Sequence, residues 1–195
     1  MSQFPLFDTP IDLAHKYWKN LLSPTDHVID ATCGNGHDTL MLAQLVPNGH
    51  VFAIDNQQQA IDTANEKISM SLGMNVSFHL QCHSTFPLKI QPKSIALVVY
   101  NLGYLPGGDK QLTTKRSTTL QSLEKAISLI RPGGALSITC YPGHPEGALE
   151  ETAVLELIKT LPAKEWSCCI HRWINRNASP SLLLVQSKIR VLDKQ

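Results

Sequence analysis

The chain has 195 residues, of which 43% are hydrophobic and 17% charged, and its 17 Lys and Arg nearly balance 16 Asp and Glu for a net charge of +1. That length suits one domain with a sizeable core over 1–195, led by a helix within 1–24 that packs on it. The charge balance excludes a surface that grips long duplex nucleic acid through many phosphates, and no apolar run reaches the length of a membrane span. The opening Met1-Ser2-Gln3-Phe4-Pro5 lacks the basic and apolar regions of a signal peptide. The five cysteines form no C-x-x-C pair, so the expectation is a cytoplasmic protein with reduced cysteines and no metal site.

In chain order, residues 10–22 form the leading amphipathic helix, with Ile11, Ala14, Tyr17, Trp18, Leu21 and Leu22 at helical spacing. Ser23-Pro24 ends it. A first strand over 27–31 runs into the turn Asp30-Ala31-Thr32-Cys33-Gly34-Asn35-Gly36, and a helix follows over 37–46. Pro47-Asn48-Gly49 is a turn signal. A second strand over 50–55 ends in Asp55, nineteen residues after Gly36. A strand, a Gly-rich turn, a helix and a strand closing on an acid form the layout of a nucleoside-binding βαβ unit.

The details select the nucleoside. The glycines let backbone approach a ligand, and Asp55 can accept from both hydroxyls of a ribose. A dinucleotide site wants a third glycine, where this chain has Thr39. Asp30 would repel a pyrophosphate but suits the ammonium of an amino acid. Asp30, Gly34, Gly36 and Asp55 together resemble motif I and the ribose acid of class I S-adenosylmethionine-dependent methyltransferases, which places that cofactor ahead of NAD.

A helix over 57–72 ends at Gly73, a C′ residue. A strand over 76–81 precedes a Pro-containing loop over 83–93. The strand over 95–102 is continuously apolar, as a central parallel strand should be. After the loop over 103–110, a helix spans 113–130 and stops at Arg131-Pro132-Gly133-Gly134. A strand over 135–141, a helix over 146–161 and strands over 168–174 and 181–187 complete the pattern. Strands and helices alternate until the last two strands, which predicts an α/β fold: a doubly wound, seven-stranded, mostly parallel sheet closed by an antiparallel last strand. This is similar to the Rossmann-like class I methyltransferase fold. Its ligands sit at the carboxyl ends of the strands.

On that rim, Asn101-Leu102-Gly103-Tyr104 resembles the Asn-Pro-Pro-Tyr type motif of class I enzymes that methylate nitrogen. An Asn carbonyl can accept a hydrogen bond from an amine and aim its lone pair, and an aromatic ring can stack the target. His83 stands where many class I members place an acid contacting adenine, and Asn56 flanks the same moiety. Tyr141 and His144 follow the fifth strand, and a neutral imidazole can take the proton an ammonium must lose. Lys110, Arg172 and Arg176 are candidate phosphate contacts. His15, His27, His50, His79 and His171 are read as structural.

Three segments, 30–39, 100–110 (Tyr-Asn-Leu-Gly-Tyr-Leu-Pro-Gly-Gly-Asp-Lys) and 141–147 (Tyr-Pro-Gly-His-Pro-Glu-Gly), together with 175–180, resemble one family. It was long labelled rRNA methylases, and its characterised members are MnmM-type tRNA methyltransferases. The resemblance implies methylation of the amine of 5-aminomethyl-(2-thio)uridine at the tRNA wobble position, giving the 5-methylaminomethyl form. The partners implied are a tRNA anticodon loop and a second copy in a homodimer. The resemblance assigns Cys33, Gly34, Asn35, Gly36, Asp38, Thr39, Asp30, Asp55, Asn56 and His83 to the cofactor, and Asn101, Tyr104, Tyr141 and His144 to the substrate side.

Overall fold

The computed structural model describes residues 9–69, 75–103 and 113–189. Twelve elements follow in order: α1 (Pro10–Leu21), β1 (His27–Asp30), α2 (His37–Leu45), β2 (His50–Asp55), α3 (Gln58–Ser69), β3 (Val76–Leu80), β4 (Ile95–Leu102), α4 (Arg116–Leu129), β5 (Ile130–Cys140), α5 (Pro145–Lys159), β6 (Trp166–His171) and β7 (Ser181–Ser187). The seven strands form one sheet in the order β3-β2-β1-β4-β5-β7-β6. Pairs β1–β2, β1–β4, β2–β3 and β4–β5 are parallel, and β7 runs antiparallel between β5 and β6. The chain order reverses between β1 and β4, so the crevice for a ligand opens there.

Burial explains the strands. β4 lies in the middle of the sheet and is buried at every position but Asn101, and both faces are covered. Ile29, Val98, Tyr100, Leu123 and Leu136 belong to one apolar layer, packed against α4 and α5. Ala14, Trp18, Val28, Leu42 and Val99 belong to the other, with α1 and α2. Thr9 caps α1 by accepting from the Asp12 N–H at 3.1 Å, and the helix buries Ala14 and Trp18. On the edge, the Tyr17 hydroxyl meets His171 Nε2 at 3.1 Å and ties α1 to β6.

Three elements differ from the sequence reading by more than two residues at one end. β5 begins at Ile130 and absorbs Arg131-Pro132-Gly133-Gly134 as an irregularity opposite β4, where Ile95 pairs Ile130 but Leu97 pairs Ala135. Gly133 takes a left-handed φ of 79°. A Cβ on Gly134 would lie 2.8 Å from the Ala96 carbonyl oxygen. The Arg131 guanidinium holds the same corner, with Nη2 3.1 Å from both Asp26 carboxylate oxygens. α4 starts at Arg116 rather than at 113, and β6 runs Trp166–His171 rather than 168–174. The helix end expected at Leu72 and Gly73 lies outside the described residues.

Candidate active site

A cavity of about 1270 Å³ opens at the carboxyl ends of the parallel strands. Its walls come from the segments following β1, β2, β3, β4 and β5. Because β7 is antiparallel, the segment entering it reaches the same rim, and Ala178 and Pro180 join the wall.

The turn after β1 is fixed from below. Gly34 sits at φ 48° and donates its N–H to Asp55 Oδ2 at 2.9 Å. The Gln57 N–H donates to Asp55 Oδ1 at 3.0 Å. These two bonds hold the carboxylate at the tip of β2, and each oxygen retains an accepting lone pair for a diol. Gly36 has another task. Its φ is 75°, and a Cβ there would lie 2.7 Å from Ala64 Cβ, so this glycine lets α2 begin against α3.

Asp30, Gly36 and Thr39 do not line the cavity; Cys33, Gly34, Asn35 and Asp38 do. Asp30 is fully buried, where Oδ2 accepts from Thr39 Oγ1 at 2.6 Å and Oδ1 from the Thr32 N–H at 3.3 Å. Burial, then the nearby Asp38 carboxylate, pushes its pKa up to about 7. The acid read as an ammonium contact therefore braces the turn from behind.

Asp38 does face the cavity, in the first turn of α2. Its Oδ2 lies 2.8 Å from Asn101 Nδ2, and its Oδ1 lies 2.7 Å from His15 Nε2. A carboxylate only accepts, so the Asn101 NH2 must point at Asp38 and the amide orientation is decided. The Asn101 main-chain N–H donates to Thr32 Oγ1 at 2.8 Å. Asn101 Oδ1 is left buried with no hydrogen-bond partner among the described residues. A buried carbonyl oxygen without a donor is costly, and a ligand N–H would satisfy it.

His83 lines the cavity after β3. Burial lowers its pKa to about 4, so it is neutral at physiological pH. Its Nε2 lies 3.5 Å from Thr119 Oγ1, whose own proton goes to Glu150 Oε1 at 2.6 Å. With Glu150 ionised that hydroxyl can only accept, an arrangement that favours the imidazole proton on Nε2 and leaves Nδ1 as the acceptor.

His144 caps α5, its Nδ1 accepting the Gly147 N–H at 3.1 Å. In the neutral ring that places the proton on Nε2 and commits the lone pair a general base would use. Tyr141 lines the cavity close to Gly103, and burial raises its pKa. Asn56 lines the wall beside Asp55. Tyr104 and Lys110 lie outside the described residues. Of the other two phosphate candidates, Arg172 Nη2 is 2.9 Å from Glu151 Oε2, and the Arg176 guanidinium lies over the Trp173 ring at 5.7 Å.

Sequence reading missed several contributors. Thr32 and Thr118 line the cavity, and no spacing distinguishes them from surface residues; Lys115, one of several basic residues of the later half open to an RNA patch, lines it as well. His15 was read as structural, but it bonds the Asp38 carboxylate; its position on the buried side of an amphipathic helix was the available signal. Among the described lining residues Lys115 is the one lysine or arginine, against Asp38 and Asp55. That donor set suits a cationic, ribose-bearing ligand better than a pyrophosphate, and the residues present fit S-adenosylmethionine. No group of three or more metal-ligating side chains occurs among the described residues.

Comparisons with known proteins agree. Residues 51–187 match the family described as "Putative rRNA methylase". A relative from Arabidopsis thaliana, "tRNA (mnm(5)s(2)U34)-methyltransferase, chloroplastic", is 37% identical over 187 residues, covering 89% of this chain and 68% of its own. A "tRNA1(Val) (adenine(37)-N6)-methyltransferase" of Vibrio cholerae is 30% identical over 129 residues, covering 62% of this chain and 52% of its own. Among solved structures, a "putative rRNA-methylase" of Clostridium thermocellum superposes with a TM-score of 0.89 at 35% identity, covering 93% of this chain and 98% of its own. A "putative methyltransferase" of Streptococcus mutans, solved in complex with SAH, gives 0.84 at 32% identity over 93% of this chain and 99% of its own.

Proposed function

Because the chain belongs to the rRNA methylase family, and is with it an S-adenosylmethionine-dependent methyltransferase, we propose that its substrate is the wobble uridine of tRNA. The reaction is N-methylation of 5-aminomethyl-(2-thio)uridine to the 5-methylaminomethyl form. One observation carries the reading: the buried Asn101 Oδ1 is a donor-seeking acceptor in the same cavity as Asp55 and the Gly34 turn. The N–H of an amine nucleophile satisfies that oxygen, which a carbon nucleophile without a donor does not. The Arabidopsis relative's printed substrate is the support for this particular uridine.

S-adenosylmethionine, when bound, supplies an electrophilic methyl on a sulfonium. Asp55 and Asn56 would hold the ribose and its neighbour, and Cys33, Gly34, Asn35 and Asp38 the methionine end. His83, neutral and with Nδ1 free to accept, would meet the adenine amino group. Asp30, Gly36 and Thr39 act one layer back by fixing the turn. Asn101 Oδ1 accepts an N–H of the neutral amine and holds its lone pair along the line of attack. Tyr141 and Tyr104 wall the substrate side. His144 shapes the loop after β5 as a helix cap, and proton loss from the ammonium falls to solvent. A single-stranded anticodon loop is a target read by stacking and local contacts, consistent with a near-neutral protein. The family resemblance implies a cytoplasmic homodimer; light scattering of the purified protein tests the assembly, and cell fractionation tests the compartment.

The deciding experiment is nucleoside mass spectrometry of tRNA from a strain lacking this gene, with purified protein and S-adenosylmethionine added back. Accumulated 5-aminomethyl-2-thiouridine that gains one methyl upholds the reading. Unchanged tRNA with label transferred to rRNA or a small amine rejects it.

A further inference from the structure

α1 precedes the nucleoside-binding unit, yet one of its side chains reaches the reacting corner. His15 Nε2 lies 2.7 Å from Asp38 Oδ1, and Asp38 Oδ2 lies 2.8 Å from Asn101 Nδ2. The imidazole also packs on the Trp18 ring at 4.8 Å, and Trp18 is 1% exposed. The ring is therefore seated by the core and aimed at a carboxylate that is itself 10% exposed. Three elements, α1, α2 and the end of β4, meet in one chain of hydrogen bonds.

An amide side chain has two faces of nearly equal shape, and only its partners decide which end points where. If Asn101 turned over, its NH2 would meet the N–H of the incoming amine, donor against donor. Asp38 prevents this only while its Oδ2 faces Asn101. A carboxylate with one fixed oxygen is fixed in plane, and His15 supplies that second point.

We propose that His15 is a positioning residue: it pins the Asp38 carboxylate, which in turn locks the Asn101 amide with its carbonyl oxygen toward the substrate amine. The inference rests on the amine reading above for its chemical purpose, but the lock itself is a property of the ligand-free protein. It gives α1 a role in turnover beyond covering the sheet.

The test uses the full chain and two substitutions. His15→Phe keeps a ring against Trp18 and removes the donor. His15→Gln keeps an N–H within reach of Asp38. The Asn101 side-chain 15N–1H pair, identified by its loss in Asn101→Ala, reports the lock without substrate or cofactor. It should move toward the position of a solvent-exposed amide in His15→Phe and return in His15→Gln. In single-turnover methyl transfer, His15→Phe should lower the rate about tenfold and His15→Gln should recover most of it, the loss expected for one charge-assisted hydrogen bond. Affinity for S-adenosylhomocysteine, by calorimetry, should stay within about twofold, since a charge-assisted bond to the cofactor would be worth more. Combined with Asn101→Ala, His15→Phe should cost nothing more, because both act through one amide.

An unmoved Asn101 signal, an equal rate penalty in both backgrounds, or weakened cofactor affinity at an intact rate would each overturn the proposal. If the wild-type protein leaves the tRNA unmethylated, the substrate reading fails, while the amide shift and its rescue still decide the lock.

Discussion

Asn101 and Asp30 are both polar groups at strand ends, and their surroundings give them opposite tasks. Asn101 has its NH2 spent on Asp38 and its carbonyl oxygen without a partner among the described residues. Asn101→Ala should lower single-turnover methyl transfer about a hundredfold, the cost of a lost orienting contact. Affinity for S-adenosylhomocysteine should change little, because Asp55, Cys33, Gly34 and Asn35 keep their places and Asp38 remains held by His15; calorimetry and a rapid-quench assay check the pair. Asp30 carries a pH signature. Its pKa rises from 3.8 to about 7 on folding, through burial and then the Asp38 charge. Between those values the folded state holds a proton that the unfolded state has released. Stability from this group is full below pH 3.8 and is lost as pH climbs through about 7. Asp30→Asn keeps an acceptor for Thr39 Oγ1 and cannot ionise. Its melting temperature relative to wild type should rise from pH 4 to pH 7 and then level off. A difference independent of pH would mean that Asp30 stays charged in the fold.

At the scale of elements, the junction of α2 with α3 sets the shape of the cavity floor. A Cβ on Gly36 would lie 2.7 Å from Ala64 Cβ and 2.8 Å from Ala64 Cα, at a φ that L side chains rarely adopt. Gly36→Ala should destabilise the protein by about 2 kcal/mol or more, from overpacking and backbone strain together. Adding Ala64→Gly should return only the part of the overpacking that comes from the Ala64 Cβ, since the approach to its Cα remains; chemical denaturation of the two single variants, the double variant and the wild type measures that coupling. Much at this scale was legible in the chain. β2, β4 and β7 have the limits read from their apolar runs, because a buried strand is apolar throughout. The Gly turn and the acid closing β2 were legible as well, and the structure brings them together on the cavity wall, the Gly34 N–H donating to Asp55. The start of β5 was not, because Pro-Gly-Gly signals a turn locally while the pairing of Ile130 with Ile95 continues the strand around it. Nor was the division between Asp38 and Asp30. Both are acids near the same turn, and only the three-dimensional path puts one on the cavity wall and the other behind it.

The whole molecule brings its chemistry to one rim chiefly by strand direction, with α1 reaching the same corner. Five parallel strands deliver their C-terminal residues there, and the antiparallel β7 adds the segment 178–180 from the other side of the sheet. Among the described residues, the basic side chains near that mouth are few and partly committed. Arg172 is paired with Glu151, Arg176 lies over Trp173, and Lys115 borders the cavity. On the proposed tRNA substrate, a protein with net charge +1 should therefore hold the RNA by a few phosphates and by the nucleotide it encloses. For a single-stranded target each neutralised phosphate contributes about 0.7 to the slope of log affinity against log salt. Two to four contacts predict a slope of roughly −1.5 to −3 for an anticodon stem-loop, measured by fluorescence anisotropy between about 50 and 200 mM salt. A slope steeper than about −5 would mean seven or more phosphates neutralised. The RNA would then spread over a basic surface well beyond the rim, and recognition would not be centred on the cavity mouth. A shallow slope that persists in Asn101→Ala would place affinity in the loop contacts and leave the buried amide to act on rate.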